Sequence, residues 1–139
     1  MTFVLGGRSR QRLKGVHPDL VRVIRRAIRI ASIDFTVIQG LRTKAQQRAN
    51  IAKGVSWTMR SRHLTGHAVD LAPWVNSGID YNAEMQWRAM GHAVCRAADK
   101  LGIPITWGAL KRHGGDWSRK NDAGHFELKW AAYPARRKK

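Results

Sequence analysis

The segment SRHLTGHAVD, residues 61–70, brings together three groups able to bind a metal: His63, His67 and Asp70 fall within eight positions. The i, i+4 spacing of the histidines matches helical zinc peptidases of the HExxH kind, in which both imidazoles share one helix face. Two features argue against that reading. Thr65-Gly66 disfavours a helix between the histidines, and Glu is absent from the position after His63. On an extended or turning backbone the useful partner of His63 is Asp70. His67 fits better as a strand-start residue, or as support for a ligand, than as a ligand itself.

Catalytic zinc sites take three protein ligands and leave a position for water, so His63 and Asp70 form an incomplete pair. NDAGHFEL, residues 121–128, offers the third ligand in His125, and Asp122 lies three residues before it. Zinc lowers the pKa of its water, and a nearby carboxylate such as Asp122 can take the proton as that water attacks a carbonyl. The residues thus describe a two-His, one-Asp site with a separate acidic base. Plainer readings exist beside it. Taken singly, His63, Asp70 and His125 are also what a polar loop and a satisfied core histidine would present. Asn-Asp-x-Gly is ordinary turn chemistry for Asp122. Glu127 either supports a ligand or sits on a strand surface.

Elements that would position these residues can be read around them. HPDLVRVIRRAIRIAS (17–32) predicts a helix with Pro18 in its first turn and a stripe of Leu20, Val23, Ile24, Ala27, Ile28 and Ala31. FTVIQG (35–40) predicts a strand, TKAQQRANIAKG (43–54) a helix with a Gly stop, and GHAVDLAPW (66–74) a second strand. The segment 81–102 predicts a long helix with Met85, Ala89, Val94, Ala97, Ala98 and Leu101 inward, ended by Gly102. IPITWG (103–108) and GHFELKW (124–130) complete the strands, with a polar, Gly-rich loop over 109–122 between them. The first fifteen residues read as a basic, loosely docked arm, and ARRKK as a loose tail. Irregular connections between helices and short strands imply a single small α+β domain with an antiparallel sheet flanked by helices.

The chain is long enough, at 139 residues, to bury a core without staples, and its one cysteine, Cys95, excludes an internal disulfide framework. Cys95 falls in an apolar-periodic helix and reads as a buried, inert thiol. Neither a signal peptide nor a membrane span is visible. The 26 Lys and Arg against 9 Asp and Glu give a formal charge of +17, which draws the protein to a polyanion without choosing between nucleic acid, anionic lipid and cell-wall polymer. Of the six tryptophans, Trp57 and Trp107 either line a cleft or, as is more common, pack in the core.

S-x-H-x-x-G-x-A-x-D (Ser61, His63, Gly66, Ala68, Asp70) followed by D-x-x-H (Asp122, His125) resembles the zinc D-Ala-D-Ala carboxypeptidase group. Within it, the length, GLRT (40–43) and GHFEL look most like the phage endolysins that are L-alanyl-D-glutamate peptidases. The resemblance runs from the helix at 17 to the strand near 128. It implies a hedgehog/D-Ala-D-Ala-peptidase-like fold and zinc held by His63, Asp70 and His125. Asp122 would then be general base and later proton donor. Arg42 would lie over a substrate carbonyl or carboxylate, where a fixed guanidinium can neutralise developing charge, with Gln46 and Ser61 as polar contacts in the cleft. The family's compact W-G-G-D-W block is split here into Trp107-Gly108 and Gly115-Asp116-Trp117, which puts a role for Asp116 in doubt.

The expectation is a monomeric zinc endopeptidase that cuts the peptide stem of bacterial peptidoglycan between L-Ala and D-Glu. It would be held in the host cytoplasm until a separate membrane lesion frees it, and its charge would attract it to the anionic envelope. A D-Ala-D-Ala carboxypeptidase or another cell-wall peptidase on the same scaffold is the nearest rival. An acid-poor chain offers no persuasive carboxylate pair for a muramidase. A basic nucleic-acid-binding protein rests on charge alone, since no helix-turn-helix or zinc-finger signature is present. A zinc-loaded but inactive binding module is the remaining class.

Overall fold

A computed structural model describes residues 2–54, 61–110 and 122–134. The helices are α1 (Gly7–Arg12), α2 (Pro18–Ile30), α3 (Lys44–Ala52) and α4 (Glu84–Leu101). The strands are β1 (Phe35–Gln39), β2 (Ala68–Pro73), β3 (Ile105–Trp107) and β4 (His125–Leu128), with short 3-10 turns at Arg62–Thr65 and Gly108–Leu110. The strands form one sheet in the order β1-β2-β4-β3, every neighbouring pair antiparallel. This is the α+β architecture that the sequence pattern implies, each element slightly shorter than its pattern. Trp57, the loop residues 111–121 with Asp116 and Trp117, and the tail 135–139 lie outside the described residues.

The helical layer follows from its apolar stripes. On α2, Leu20, Val23, Ile24, Ala27 and Ile28 are buried, while Arg22, Arg25, Arg26 and Arg29 are exposed. The His17 ring nitrogen Nδ1 accepts the Asp19 N–H at 3.1 Å and so caps the helix start. Helix α4 packs against α2 and buries Trp87, Met90, Val94, Ala97 and Ala98. Met85, expected inward, is 78% exposed. It precedes Trp87 by two residues, about 200° around a helix, so the bulkier Trp87 and Met90 take the core row instead. Cys95 is only half-buried; burial, then the Asp99 charge, push its thiol up to about 11, which keeps it unreactive.

Strand alternation divides the sheet into two faces. Phe35, Val37, Val69, Leu71, Phe126 and Leu128 are all buried and meet the helices in one apolar cluster. Trp107, paired with Phe126 across β3 and β4, stacks on it at 6.0 Å and donates its indole N–H to the Ala123 carbonyl at 2.7 Å. It is therefore a core residue. The opposite face carries Asp70, His125 and Glu127.

The first fifteen residues, expected as a loosely docked arm, hold α1 against the outer edge of β1. Leu5, Leu13 and Val16 are buried there. Ser9 Oγ accepts the Val37 N–H at 2.9 Å, and Arg12 donates to the Val37 carbonyl at 2.9 Å. Two side chains of α1 thus satisfy the open hydrogen-bonding groups of an edge strand. The density of arginines hid this role because Leu5, Leu13 and Val16 are too sparse to show a period.

Truncating Phe126 to Ala removes the side chain that joins sheet and helices, and should destabilise the fold by about 3–5 kcal/mol, read as a lower midpoint in urea unfolding.

Candidate active site

Pairing of β2 with β4 sets Asp70 directly opposite His125 and Ala68 opposite Glu127. Asp70 Oδ1 lies 3.1 Å from His125 Nδ1 and 3.3 Å from His63 Nε2. His63 reaches this point from the 3-10 turn, whose start is capped by Ser61: its Oγ accepts the His63 N–H at 3.2 Å. The turn ends at Gly66 with φ 76°, where a Cβ would also stand 2.4 Å from the Gly15 carbonyl oxygen. Only glycine fits that left-handed, crowded position.

The hydrogen bonds of the two histidines decide which nitrogens are available. His63 Nδ1 is 2.8 Å from the Gly40 carbonyl oxygen. A carbonyl can only accept, so Nδ1 carries a proton and, in the neutral ring, Nε2 holds a lone pair. That Nε2 is buried without a hydrogen-bond partner and faces a carboxylate oxygen that also brings only lone pairs. A cation between them resolves the conflict. On His125, Nε2 donates to Glu127 Oε1 at 2.9 Å, which leaves Nδ1 toward Asp70. Ligand atoms from His63, Asp70 and His125 all lie within 4.8 Å of one another, so the group can hold a metal ion. A carboxylate behind a ligating imidazole is the usual support for such a site.

Electrostatics agree with the geometry. Burial raises the Asp70 carboxyl, but the hydrogen bond from His125, the close approach of His63 and the charge that either imidazole carries when protonated outweigh it and hold the group well below the ordinary carboxylate range. Burial lowers the His125 imidazole, and hydrogen bonds to Asp70 and Glu127, with the charges of Asp70 and Asp122, reverse this and raise it to about 9.

Arg42 stands beside the ligand group. Its backbone N–H donates to the His63 carbonyl at 2.9 Å, and its guanidinium lies 3.9 Å from Asp70 Oδ2. Nε and one terminal nitrogen donate to Gln39 Oε1 at 3.3 and 2.8 Å, and the other terminal nitrogen to Gln47 Oε1 at 2.5 Å. The register shift between Val37 and Gln39 in β1 brings Gln39 opposite Asp70. Such bulges re-aim a side chain next to a site.

With this geometry in place, the relatives are informative. The phage L-alanyl-D-glutamate peptidase family profile matches residues 1–129. The L-alanyl-D-glutamate peptidase of Escherichia phage T5 is 39% identical over 136 residues, 92% of this chain and 99% of the relative. The L-alanyl-D-glutamate peptidase of Listeria phage A118 is 34% identical over 101 residues, 73% of this chain, which spans about a third (32%) of that relative. A crystal structure of the L-Ala D-Glu endopeptidase ChiX of Serratia marcescens superposes with a TM-score of 0.82 at 42% identity, covering 95% of each chain. The chain belongs to the phage L-alanyl-D-glutamate peptidase family.

In this family member, the other residues singled out from sequence fall as follows. Asp122 is exposed at the turn before β4, with φ 96°, and its carbonyl accepts the His125 N–H at 3.2 Å. A non-glycine residue held at positive φ beside a site is a feature to explain by function. His67 lies outside the ligand group; its Nδ1 is 2.7 Å from Thr65 Oγ1 and its ring packs on His17 at 5.4 Å. Gln46 spends its side chain on the start of α3, in a reciprocal cap with Thr43. The fully buried Gln47, one residue later, is the one that holds Arg42. Thr-x-x-Gln at a helix start was the available signal: it assigns Gln46 to the cap and leaves Gln47 for the site. Gln39 had no signal, because a bulge does not show in a short strand pattern.

The candidate metal group also carries a definite pH dependence. Without metal, His125 keeps its Nδ1 proton below about 9, and a metal must displace it. Affinity for a divalent metal, measured by competition with a chelator, should rise by about tenfold per pH unit from neutral pH and level off above that pKa. Affinity falling with pH over this range would contradict the ligand assignment.

Proposed function

We propose that this chain is a zinc-dependent phage endolysin that hydrolyses the L-Ala–D-Glu bond in the peptide stem of bacterial peptidoglycan. The observation that carries the reading is the buried, unpartnered Nε2 of His63 facing Asp70 and His125 beside a clamped arginine, in a member of this peptidase family. Two imidazole nitrogens and one carboxylate form a donor set suited to zinc. Zinc held by His63, Asp70 and His125 would supply a Lewis acid and a water of lowered pKa.

The chain's own groups do the rest. Gly40 fixes the His63 tautomer through its carbonyl, and Glu127 fixes that of His125. Asp122 takes the proton of the attacking water on its carboxylate and returns it to the departing amine. Arg42, held on two sides by Gln39 and Gln47, keeps guanidinium N–H groups toward the scissile carbonyl oxygen or the D-Glu carboxylate. Because its fork is already ordered, little entropy is lost as substrate binds. Ser61 acts through the His63 backbone at the rim of the same cleft.

No helix among the described residues is long and apolar enough to cross a membrane. The enzyme acts as a monomer, waits in the host cytoplasm, and reaches the wall once another agent opens the inner membrane. Its charge of +17 then favours the anionic envelope over free solution.

Digestion of purified peptidoglycan should expose new D-Glu amino termini by mass spectrometry, whereas release of free D-Ala would identify a carboxypeptidase instead. Asp122→Ala should lower cleavage by about 100-fold or more while the protein still binds one zinc. Unchanged cleavage would remove Asp122 from the role of base. Sedimentation with cell walls should weaken as salt rises from low to physiological ionic strength; salt-independent binding would refute the electrostatic account.

A further inference from the structure

Arg62 is the neighbour of a proposed zinc ligand in sequence, yet its charge is spent elsewhere. Its side chain is 3% exposed, an uncommon burial for arginine. One terminal nitrogen donates to the carbonyls of Leu128 and Tyr133, both at 2.8 Å. Nε lies 3.8 Å from Glu127 Oε2, and Cζ lies 4.0 Å from the centre of the Trp130 ring. Nε and the other terminal nitrogen are buried with no hydrogen-bond partner, so the guanidinium is held mainly by charge, stacking and two carbonyls. Glu127, in turn, is the acceptor for His125 Nε2.

These contacts form one chain, from the segment 129–133 through Arg62 and Glu127 to His125. We propose that Arg62 is a positioning residue for the metal ligand His125, acting through Glu127, and that the segment 129–133 is the strap that holds Arg62 in place. The inference rests on the zinc-peptidase reading of the His63, Asp70 and His125 group.

The physical case has three steps. The Glu127 carboxylate is buried, and Arg62 is packed beside it with Nε 3.8 Å from Oε2, which restricts where the carboxylate can point. Held there, Glu127 accepts His125 Nε2–H at 2.9 Å and so turns Nδ1 toward Asp70 and the metal position. Without Arg62 the carboxylate loses the contact that orients it, and the imidazole loses the partner that fixes its tautomer.

The strap explains why arginine can stay there. Tyr133 hydroxyl donates to Asp19 Oδ2 at 2.7 Å, and Tyr133 N–H to the Lys129 carbonyl at 2.9 Å, closing a turn that brings the Tyr133 carbonyl onto Arg62. Trp130 is 52% exposed, and its ring lies over the guanidinium, where the cation meets the ring face. The family match ends at residue 129, one position before Trp130. A planar fork serves two carbonyls, a carboxylate and a ring at once, which the point charge of lysine does not.

The test is a double-mutant cycle on zinc affinity, measured by chelator competition, with cobalt(II) absorption as a second readout of the ligand field. Arg62→Met should weaken zinc binding by about tenfold and Glu127→Gln by about 10–100-fold, and both should shift the cobalt bands. The double variant should bind zinc about as well as Glu127→Gln alone, since both changes break one path. Wild-type affinity and spectrum in Arg62→Met, or effects that multiply in the double variant, would overturn the proposal. Trp130→Ala, at an exposed position, serves where Arg62→Met does not fold: a weakened site supports the strap and an unchanged one refutes it. Wild-type protein that binds no zinc, or His63→Ala that binds it as well, would instead defeat the metal reading on which the inference stands.

Discussion

The site depends on one constraint, the register of β2 against β4. Asp70 meets His125 because Val69 pairs with Phe126 on the other face of the same two strands, and both of those side chains are fully buried. A slip of β2 by one residue would turn Asp70 toward the apolar cluster and Val69 to the opposite face. Hydrophobic packing therefore fixes the position of two members of the candidate metal group although it touches neither. The third member, His63, is set independently, by a turn whose geometry requires Gly66 and whose ring is anchored on the Gly40 carbonyl.

Holding a carboxylate between two imidazoles would be costly in a core, and the site meets that cost by charge exchange. The folded-state pKa of His125 lies above its ordinary 6.5, so its contribution to stability is complete below 6.5 and disappears as pH rises through about 9. The Asp70 pKa lies below its ordinary 3.8, so its contribution is present above 3.8 and is lost as pH falls through its folded value. In between, the His125 proton supplies the positive charge that offsets Asp70 and Glu127.

Much of this was legible in the residues, for reasons that differ by element. The α2 stripe and the β-branched strands announce themselves because burial follows their period. His63, Asp70 and His125 could be grouped because metal chemistry restricts residue type strongly and the resemblance supplied their order. Gln46 and Gln47 show the limit: two adjacent identical residues differ in role through helix phase alone, and the cap motif decides between them. Gln39 depends on a bulge, and Leu5, Leu13 and Val16 on a docking partner far along the chain. Arg62 was hidden among 26 basic residues, and its burial depends on Leu128 and Tyr133, more than sixty positions away.

The basic charge and the site chemistry are physically separate. Arg22, Arg25, Arg26 and Arg29 project from α2 into solvent, across the core from the face that carries Asp70. At physiological ionic strength, exposed charges are screened over about 8 Å, so these arginines have little leverage on the buried carboxylates. Nearer to hand are two guanidiniums largely removed from water, Arg42 at 3.9 Å from Asp70 Oδ2 and Arg62 at 3.8 Å from Glu127 Oε2, where a charge acts at short range with weak screening. Charge reversal at either of the two enclosed arginines therefore acts directly on the candidate site, whereas the exposed face of α2 lies largely outside its electrostatic reach.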